Sequence, residues 1–234
     1  MDLIDTLHST GAVREFTADP VPDDVLARIL DSARFAPSGG NRQGWRLVVV
    51  QDPAIRRSLR DHYLAGWYDY LAIMLAGLTP WAPLTDRAAE ASAIAGSARL
   101  AEEARAAGAR GGFAEQLDEV PVLLALFADL RALAAVDRDH SRYTFAGGAS
   151  IYPFAWNVLL AARAEGLGGV ITTMPIRQEA EVKALLGAPD ELALAAVIAL
   201  GHPREAPPTR LRRSTVASFT TVDRLDGPPF GGAG

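Results

Sequence analysis

A loop that begins at Pro37 combines residue types suited to binding a ligand. Pro37 ends the preceding helical pattern, because proline lacks an amide donor and clashes with the previous turn. Ser38, Gly39 and Asn41 follow, before a strand that opens at Trp45. Glycine has no Cβ, so the backbone here would let a flat ring approach closely. On composition alone, an ordinary helix–strand turn remains an open alternative.

Four arginines could converge on a phosphate group. Arginine suits that role because its planar fork donates two parallel hydrogen bonds. From periodicity alone, four solvated surface arginines remain the other interpretation. The four residues are Arg14, Arg210, Arg212 and Arg213.

The end of one predicted strand could offer backbone amides to a ligand. Thr172, Thr173 and Met174 close this strand just before Pro175. The alternative is a capped strand that runs directly into the next helix.

Other kinds of catalytic site find little support in the sequence. There is no phosphate-binding P-loop, no HExxH motif and no glycine fingerprint after a first strand. The four histidines are scattered, and the absence of cysteine excludes thiolate nucleophiles and sulfur-ligated metals. No nucleophile-elbow pattern surrounds Ser38, which argues against a hydrolase. We therefore predict neither a metal site nor a serine nucleophile.

Composition and net charge indicate which kinds of partner the protein can bind. The 234 residues include 28 acidic and 23 basic side chains, and a net charge of −5 argues against nucleic acid. Glycine, proline and asparagine interrupt the long uncharged stretch at 143–162, so we predict no membrane span. No secretory signal is visible, and we expect a cytoplasmic protein that binds a small molecule.

The hydrophobic pattern predicts an α+β, three-layer domain with a sheet of about four strands and helices outside. Because 49% of the residues are apolar, the chain can bury a sizeable core. Strands are expected near Trp45, Val122, Val170 and Ala195. Helices are expected at 2–10, 23–36, 86–109, 147–165 and 179–186, and another helix is expected to start after Asp52-Pro53.

Several short motifs, taken in their order along the chain, resemble those of the nitroreductase family of FMN enzymes. Arg14-x-Phe16 is followed by Ala-Pro-Ser-x-x-Asn-x-Gln-x-Trp, which ends at Trp45. The resemblance covers residues 3–225 and looks closest to the branch that contains iodotyrosine deiodinase. Further matches are Leu159-Leu160-Ala161-Ala162, Gly166-Leu167-Gly168, Thr172-Thr173, Leu200-Gly201-x-Pro203 and Arg212-Arg213.

The resemblance implies a nitroreductase-like α-β-α sandwich that forms an intertwined homodimer with two FMN sites. NAD(P)H would reduce the flavin, which would then reduce an aromatic or electron-poor acceptor, such as a nitro compound or quinone, in ping-pong order. Backbone amides near Thr173 and Met174 would face flavin N5 and O4 and stabilise developing negative charge. Arg14, Arg212 and Arg213 would hold the phosphate, and Pro37, Ser38, Gly39 and Asn41 would line the flavin ring.

The same comparison predicts the domain organisation. Residues 1–203 would form one FMN-binding domain with a lid region at about 63–115, and residues 204–234 would form an arm that wraps the partner subunit. Glycines and prolines within 63–83 suggest that this part of the lid is not one rigid helix. The aromatic residues expected to contact substrate are Trp67, Tyr68 and Tyr70.

Two departures from the family pattern keep alternatives open. Thr10-Gly11-Ala12 replaces the family's usual arginine- and serine-containing triplet, which removes one phosphate-binding arginine and one hydroxyl. Residues 63–115 contain no lysine, so deiodination is not carried over. The alternatives are a flavin-sequestering protein with little turnover and an FMN enzyme that performs a dehydrogenation or uses oxygen.

Overall fold

The centre of the molecule is a four-stranded antiparallel sheet. The computed structural model describes residues 2–106 and 112–231. The strand order is β1-β2-β4-β3, with one register shift between Leu126 and Phe127. The strands are β1 (Trp45–Val49), β2 (Val122–Asp129), β3 (Gly168–Thr172) and β4 (Leu192–Gly201).

Helices cover both faces of this sheet, which confirms the predicted α-β-α layering. On one face Leu124 and Ile198 point into a core with the second and sixth helices. On the other face Leu123 and Val197 pack with the third and seventh, because successive strand residues point to opposite faces. The helices are α1 (Leu3–Ser9), α2 (Asp23–Ala33), α3 (Pro53–Leu75), α4 (Arg87–Ile94), α5 (Ser97–Ala106), α6 (Tyr152–Ala164) and α7 (Glu179–Leu186).

Helix α3 is longer than the sequence suggests. The Asp52 carboxylate accepts hydrogen bonds from two amides of the first turn, and Pro53 suits that first turn. The helix then runs through Gly66 to Leu75, so Gly66 does not interrupt it as expected, but the segment 63–83 as a whole is not one helix, as predicted. A single glycine costs only about 1 kcal/mol in a helix, which packing against the sheet offsets. Gly77, with φ of +75°, follows the end of the helix.

Two other predicted helices differ in extent. The helix expected at 86–109 is divided into α4 and α5 around Gly96, whose amide bonds to the carbonyl of Ala93 and closes the first helix. Residues 107–109 of that prediction lie outside the described residues. The helix expected at 147–165 begins only at Tyr152, because the glycine-rich stretch before it forms a 3-10 turn.

The N-terminal segment is fixed to β3 and to the residue after β4, and the C-terminal region is fixed to α1. The Val13 amide donates to the Gly169 carbonyl across 2.9 Å, and the Thr17 amide donates to the His202 carbonyl across 2.9 Å. The Leu211 amide donates to the His8 carbonyl across 2.8 Å. These bonds hold the segment that carries Arg14 against the sheet.

The last part of the chain has little regular structure. Phe219 and Leu225 are largely exposed there, and one short 3-10 turn covers Val216–Ser218. The arm at 204–234 remains a prediction, and its residues 232–234 lie outside the described residues. Among the helices of the described chain, none combines the length and apolarity needed to cross a membrane.

Candidate functional site

A cavity of about 540 Å³ opens beside Arg14. Tyr63, Trp67 and Phe113 form its aromatic wall, and Arg204 also lines it. Arg14 is exposed and forms no ion pair within residues 2–106 and 112–231. The cavity therefore places the exposed Arg14 guanidinium next to aromatic surfaces, and its lining also includes two glutamates, Glu15 and Glu115.

The aromatic wall is built mainly by one face of α3. Tyr63, Trp67 and Tyr70 are spaced four and three residues apart, which places them on one side of the helix. The Trp67 and Tyr70 rings stack at 5.5 Å and 10°, and Phe113 meets the edge of Tyr63 at 6.0 Å. These contacts fix the orientation of the rings that face the cavity.

The end of β3 reaches the same wall. Thr172 pairs with Val197 in the last step of the β3–β4 ladder, and Thr173 lies beyond it. The Thr172 hydroxyl donates to the Tyr63 phenolic oxygen across 3.5 Å. It also accepts from the Met174 amide across 3.5 Å. Tyr63 thus connects two parts of the site. Its side chain lines the cavity beside Arg14, and its hydroxyl contacts Thr172, which in turn contacts Met174.

Tyr63 is almost fully buried, with 4% of its surface exposed. Burial raises the pKa of its phenol, while the Thr172 hydrogen bond and the Arg14 charge act in the opposite direction. The raised pKa keeps the phenol protonated throughout the neutral pH range.

The loop after Pro37 has a strained backbone. Gly40, Asn41 and Gln43 have φ of +60°, +52° and +50°, which is uncommon for residues with a side chain. Ser38 Oγ accepts from the Gln43 amide across 3.0 Å, and the Gly39 amide donates to Ser150 Oγ across 3.0 Å. Strained loops that are held in place by specific bonds are a recognised feature of ligand sites.

This loop and the Arg14 cavity lie at opposite ends of β2. The loop ends at Gly44, whose carbonyl accepts from the Asp129 amide across 2.7 Å at the end of the strand. Arg14 shares a smaller cavity with Val120, just before the strand begins. The eight residues of β2 are separated by seven steps of about 3.3 Å, so its ends lie roughly 23 Å apart. One chain therefore does not bring Ser38 and Arg14 together.

The C-terminal arginines return towards the N-terminal segment. The Leu211 side chain packs against Gly11, where an added Cβ would come within 3.0 Å of it. Arg212 and Arg213 follow directly, are exposed, and share one internal bond from the Arg213 guanidinium to the Arg212 carbonyl. Leu211 thus brings the C-terminal arginines to the residues just before Arg14, but neither Arg212 nor Arg213 lines the Arg14 cavity.

The triplet that departs from the family pattern has structural roles here. The buried Thr10 hydroxyl donates to the Thr6 carbonyl across 2.7 Å. Gly11 provides space for Leu211, and Ala12 forms a bridge with Gly169. These three residues therefore connect the N-terminal segment to α1, to the C-terminal region and to β3, respectively.

Tyr68 lies apart from the other two predicted lid residues. Its hydroxyl is 3.4 Å from the Glu115 carboxylate, and it lines a different cavity together with Arg60 and Arg105. Sequence reasoning also passed over Tyr63 as a site residue. The helical spacing of Tyr63, Trp67 and Tyr70 contained the signal that separates this face from Tyr68.

Comparisons with known proteins agree on the family to which the chain belongs. The model described as the Nitroreductase family matches residues 9–202. An NADH dehydrogenase of Thermus thermophilus is 34% identical over 194 residues, which are 83% of this chain and 83% of the relative. A 5,6-dimethylbenzimidazole synthase of Rhodospirillum rubrum is 32% identical over 206 residues, which are 84% of this chain and 79% of the relative.

Solved structures share the same fold. The crystal structure of oxidized iodotyrosine deiodinase bound to FMN and 3-iodo-L-tyrosine is 25% identical, with a TM-score of 0.60. The match covers 94% of this chain and 100% of that chain. The resemblance and the α+β fold inferred from sequence motifs are both confirmed.

Proposed function

The chain belongs to the nitroreductase family of FMN-dependent oxidoreductases, and we propose that it uses NAD(P)H to reduce an aromatic or electron-poor small molecule. One observation carries the proposal: the aromatic cavity with the unpaired Arg14 at its edge. Its volume of about 540 Å³ falls within the roughly 300–1,000 Å³ typical of small-molecule sites.

The residues present fit FMN, which combines a flat ring with a phosphate. Arg14 supplies a guanidinium that forms no ion pair with a carboxylate in the described parts of the chain. Arg212 and Arg213 would share the phosphate and so offset the loss at Thr10-Gly11-Ala12. The apolar rings of the cavity wall suit an isoalloxazine.

Each element of the site has a role in this proposal. When bound, FMN supplies the hydride chemistry. The Thr173 amide would stabilise negative charge at the ring edge, because donors fixed in advance need no reorganisation, whereas the Met174 amide would have to leave Thr172 Oγ1 to do so. Trp67 stacks with the acceptor and excludes water. Arg14 holds the anionic end of the cofactor in place.

A second copy of the chain completes the site. Pro37, Ser38, Gly39 and Asn41 are predicted flavin contacts, yet their loop lies about 23 Å along β2 from the Arg14 cavity. The loop of one subunit would therefore line the flavin held by Arg14 of the other. This arrangement supports the proposed homodimer.

Steady-state kinetics test the proposed reaction. The two substrates would react one after the other at a shared site, so initial rates should give parallel double-reciprocal lines when NADH or NADPH is varied at several acceptor concentrations. Menadione and a nitroaromatic compound are suitable probe acceptors. Intersecting lines, or no turnover with either nucleotide, would contradict the proposal.

A second candidate reaction is an oxygen-dependent conversion on the same flavin. The 32% identity to a 5,6-dimethylbenzimidazole synthase over most of both chains is the observation that favours it. Oxygen uptake with reduced protein and no added acceptor, at a rate comparable to turnover with acceptors, would select this candidate. Negligible oxygen uptake would select the reductase.

A further inference from the structure

Tyr63 stands at the junction between the cavity and the strand end. Its ring is fixed between Trp67, 6.5 Å away, and Phe113, 6.0 Å away. Its hydroxyl meets Thr172, and its ring lines the cavity beside Arg14. No other residue described so far touches the aromatic wall, the end of β3 and the cavity at once.

The hydrogen-bond directions around Tyr63 leave its own proton available. The Met174 amide donates to Thr172 Oγ1, and the Thr172 hydroxyl donates to the Tyr63 oxygen. A phenol both accepts and donates, so its O–H remains to be used. Among the described residues, no hydrogen bond takes that proton from Tyr63, and the Tyr63 side chain lines the cavity.

We propose that Tyr63 donates a hydrogen bond from its phenol to an oxygen acceptor of the FMN bound beside Arg14, with Thr172 as its positioning residue. The inference rests on the proposed function, since FMN is taken as the occupant of the cavity. Both hydrogen bonds in this chain measure 3.5 Å between the donor and acceptor atoms.

The pairing of Thr172 with Tyr63 has a functional consequence. By donating to the phenolic oxygen, Thr172 fixes the rotation of the Tyr63 O–H and polarises it, which strengthens the next bond in the chain. Thr172 therefore acts on the cofactor through Tyr63. Removing Thr172 after Tyr63 has lost its hydroxyl should have no additional effect.

Titration of apo-protein with oxidised FMN, followed by flavin fluorescence, tests this arrangement. A neutral hydrogen bond contributes about 0.5–1.5 kcal/mol, so Tyr63→Phe should weaken FMN binding about 2- to 12-fold. Thr172→Val should weaken it less, and the double variant should bind as Tyr63→Phe does. Thr172→Ser, which keeps Oγ, should bind as the wild type does.

Tyr143→Phe is the matched control. It also removes one phenolic hydroxyl. Tyr143 lies on an exposed loop and does not line the cavity, and its hydroxyl accepts a hydrogen bond from Arg87. Wild-type FMN affinity is expected for this variant. Thermal melting of each apo-protein shows whether the fold is intact, and Thr172→Val keeps the test valid if Tyr63→Phe does not fold.

Three outcomes would overturn the inference. They are wild-type affinity in Tyr63→Phe, additive losses in the double variant, and an equal loss in Tyr143→Phe. The proposed function would survive all three if the wild type binds and uses FMN. If the wild type itself refuses FMN, both the proposed function and this inference are wrong.

Discussion

At the scale of single residues, charge and hydrogen bonding decide what the site can hold. Arg14 is the clearest case, because it faces a cavity and has no carboxylate partner in the described chain. The motif Arg-x-Phe was enough to select Arg14 from the sequence. Tyr63 was not selected, because its partnership with Thr172 joins residues 109 positions apart and leaves no local pattern.

Arg14→Met should weaken FMN binding about 10- to 100-fold. A charge-assisted hydrogen bond contributes about 1.5–3 kcal/mol, and each 1.4 kcal/mol is roughly tenfold in affinity. Fluorescence titration of the apo-protein measures the effect. Arg57→Met, which removes another exposed arginine from the start of α3, should bind FMN as the wild type does. Equal affinity in the two variants would show that Arg14 does not contact the cofactor.

Asp137 gives the fold a defined acid sensitivity. Its buried carboxylate accepts from the Phe145 amide across 2.7 Å and from Arg142 across 2.9 Å. These bonds lower its pKa to about 2. Since the folded-state pKa lies below the unfolded value near 3.9, the stabilisation is present above pH 4 and lost as the pH falls towards 2.

The Asp137→Asn variant should therefore have a lower Tm than the wild type at pH 7. The difference in Tm should shrink as the pH is lowered from 5 to 3, because protonation removes the same interactions from the wild type. Melting curves across that range measure it, with the exposed Asp139→Asn as control. A difference in Tm that stays constant with pH would contradict this role.

At the scale of elements, close backbone contacts place the site residues. The sequence predicted the strands well, because runs of branched apolar residues are bounded by glycine and proline. It predicted the helices less well where tertiary packing overrides local propensity. Helix α3 continues through Gly66 because the Met174 and Arg177 side chains pack directly on that glycine, which favours a position without a Cβ.

Gly169→Ala tests the close packing of β3 against β4. An added Cβ would collide with the Leu200 side chain and come within 2.7 Å of the Ala199 carbonyl. Overpacking costs about 1–3 kcal/mol, so Tm should fall by roughly 3–10 °C. Gly96→Ala, whose Cβ would make only an ordinary 3.4 Å contact, should melt near the wild type. Unchanged melting of Gly169→Ala would refute the close approach.

At the scale of the whole molecule, the predicted contacts with FMN fall into two separate groups. Motif order placed Ser38 and Arg14 in one site, but the length of β2 separates them within one chain. Sequence motifs carry no information on which subunit supplies a residue. The predicted intertwined dimer is the arrangement in which both groups can line one cofactor.

Mixed dimers test this division between subunits. In a dimer of one Arg14→Met chain and one Ser38→Val chain, one site would carry both changes and the other would be intact. Differently tagged chains, co-purified and titrated with FMN, should therefore show about half of the wild-type high-affinity sites. Two weakened sites and no intact site per mixed dimer would show that both groups of residues line a site within a single chain.

Anaerobic mixing of the FMN-loaded protein with NADH or NADPH tests the central claim most directly. The flavin absorbance near 450 nm should bleach without any acceptor present, since an NAD(P)H-dependent oxidoreductase reduces its flavin in a separate first half-reaction. Addition of menadione should then restore the absorbance. A protein that binds no FMN, or a bound flavin that neither nucleotide bleaches, would contradict the account.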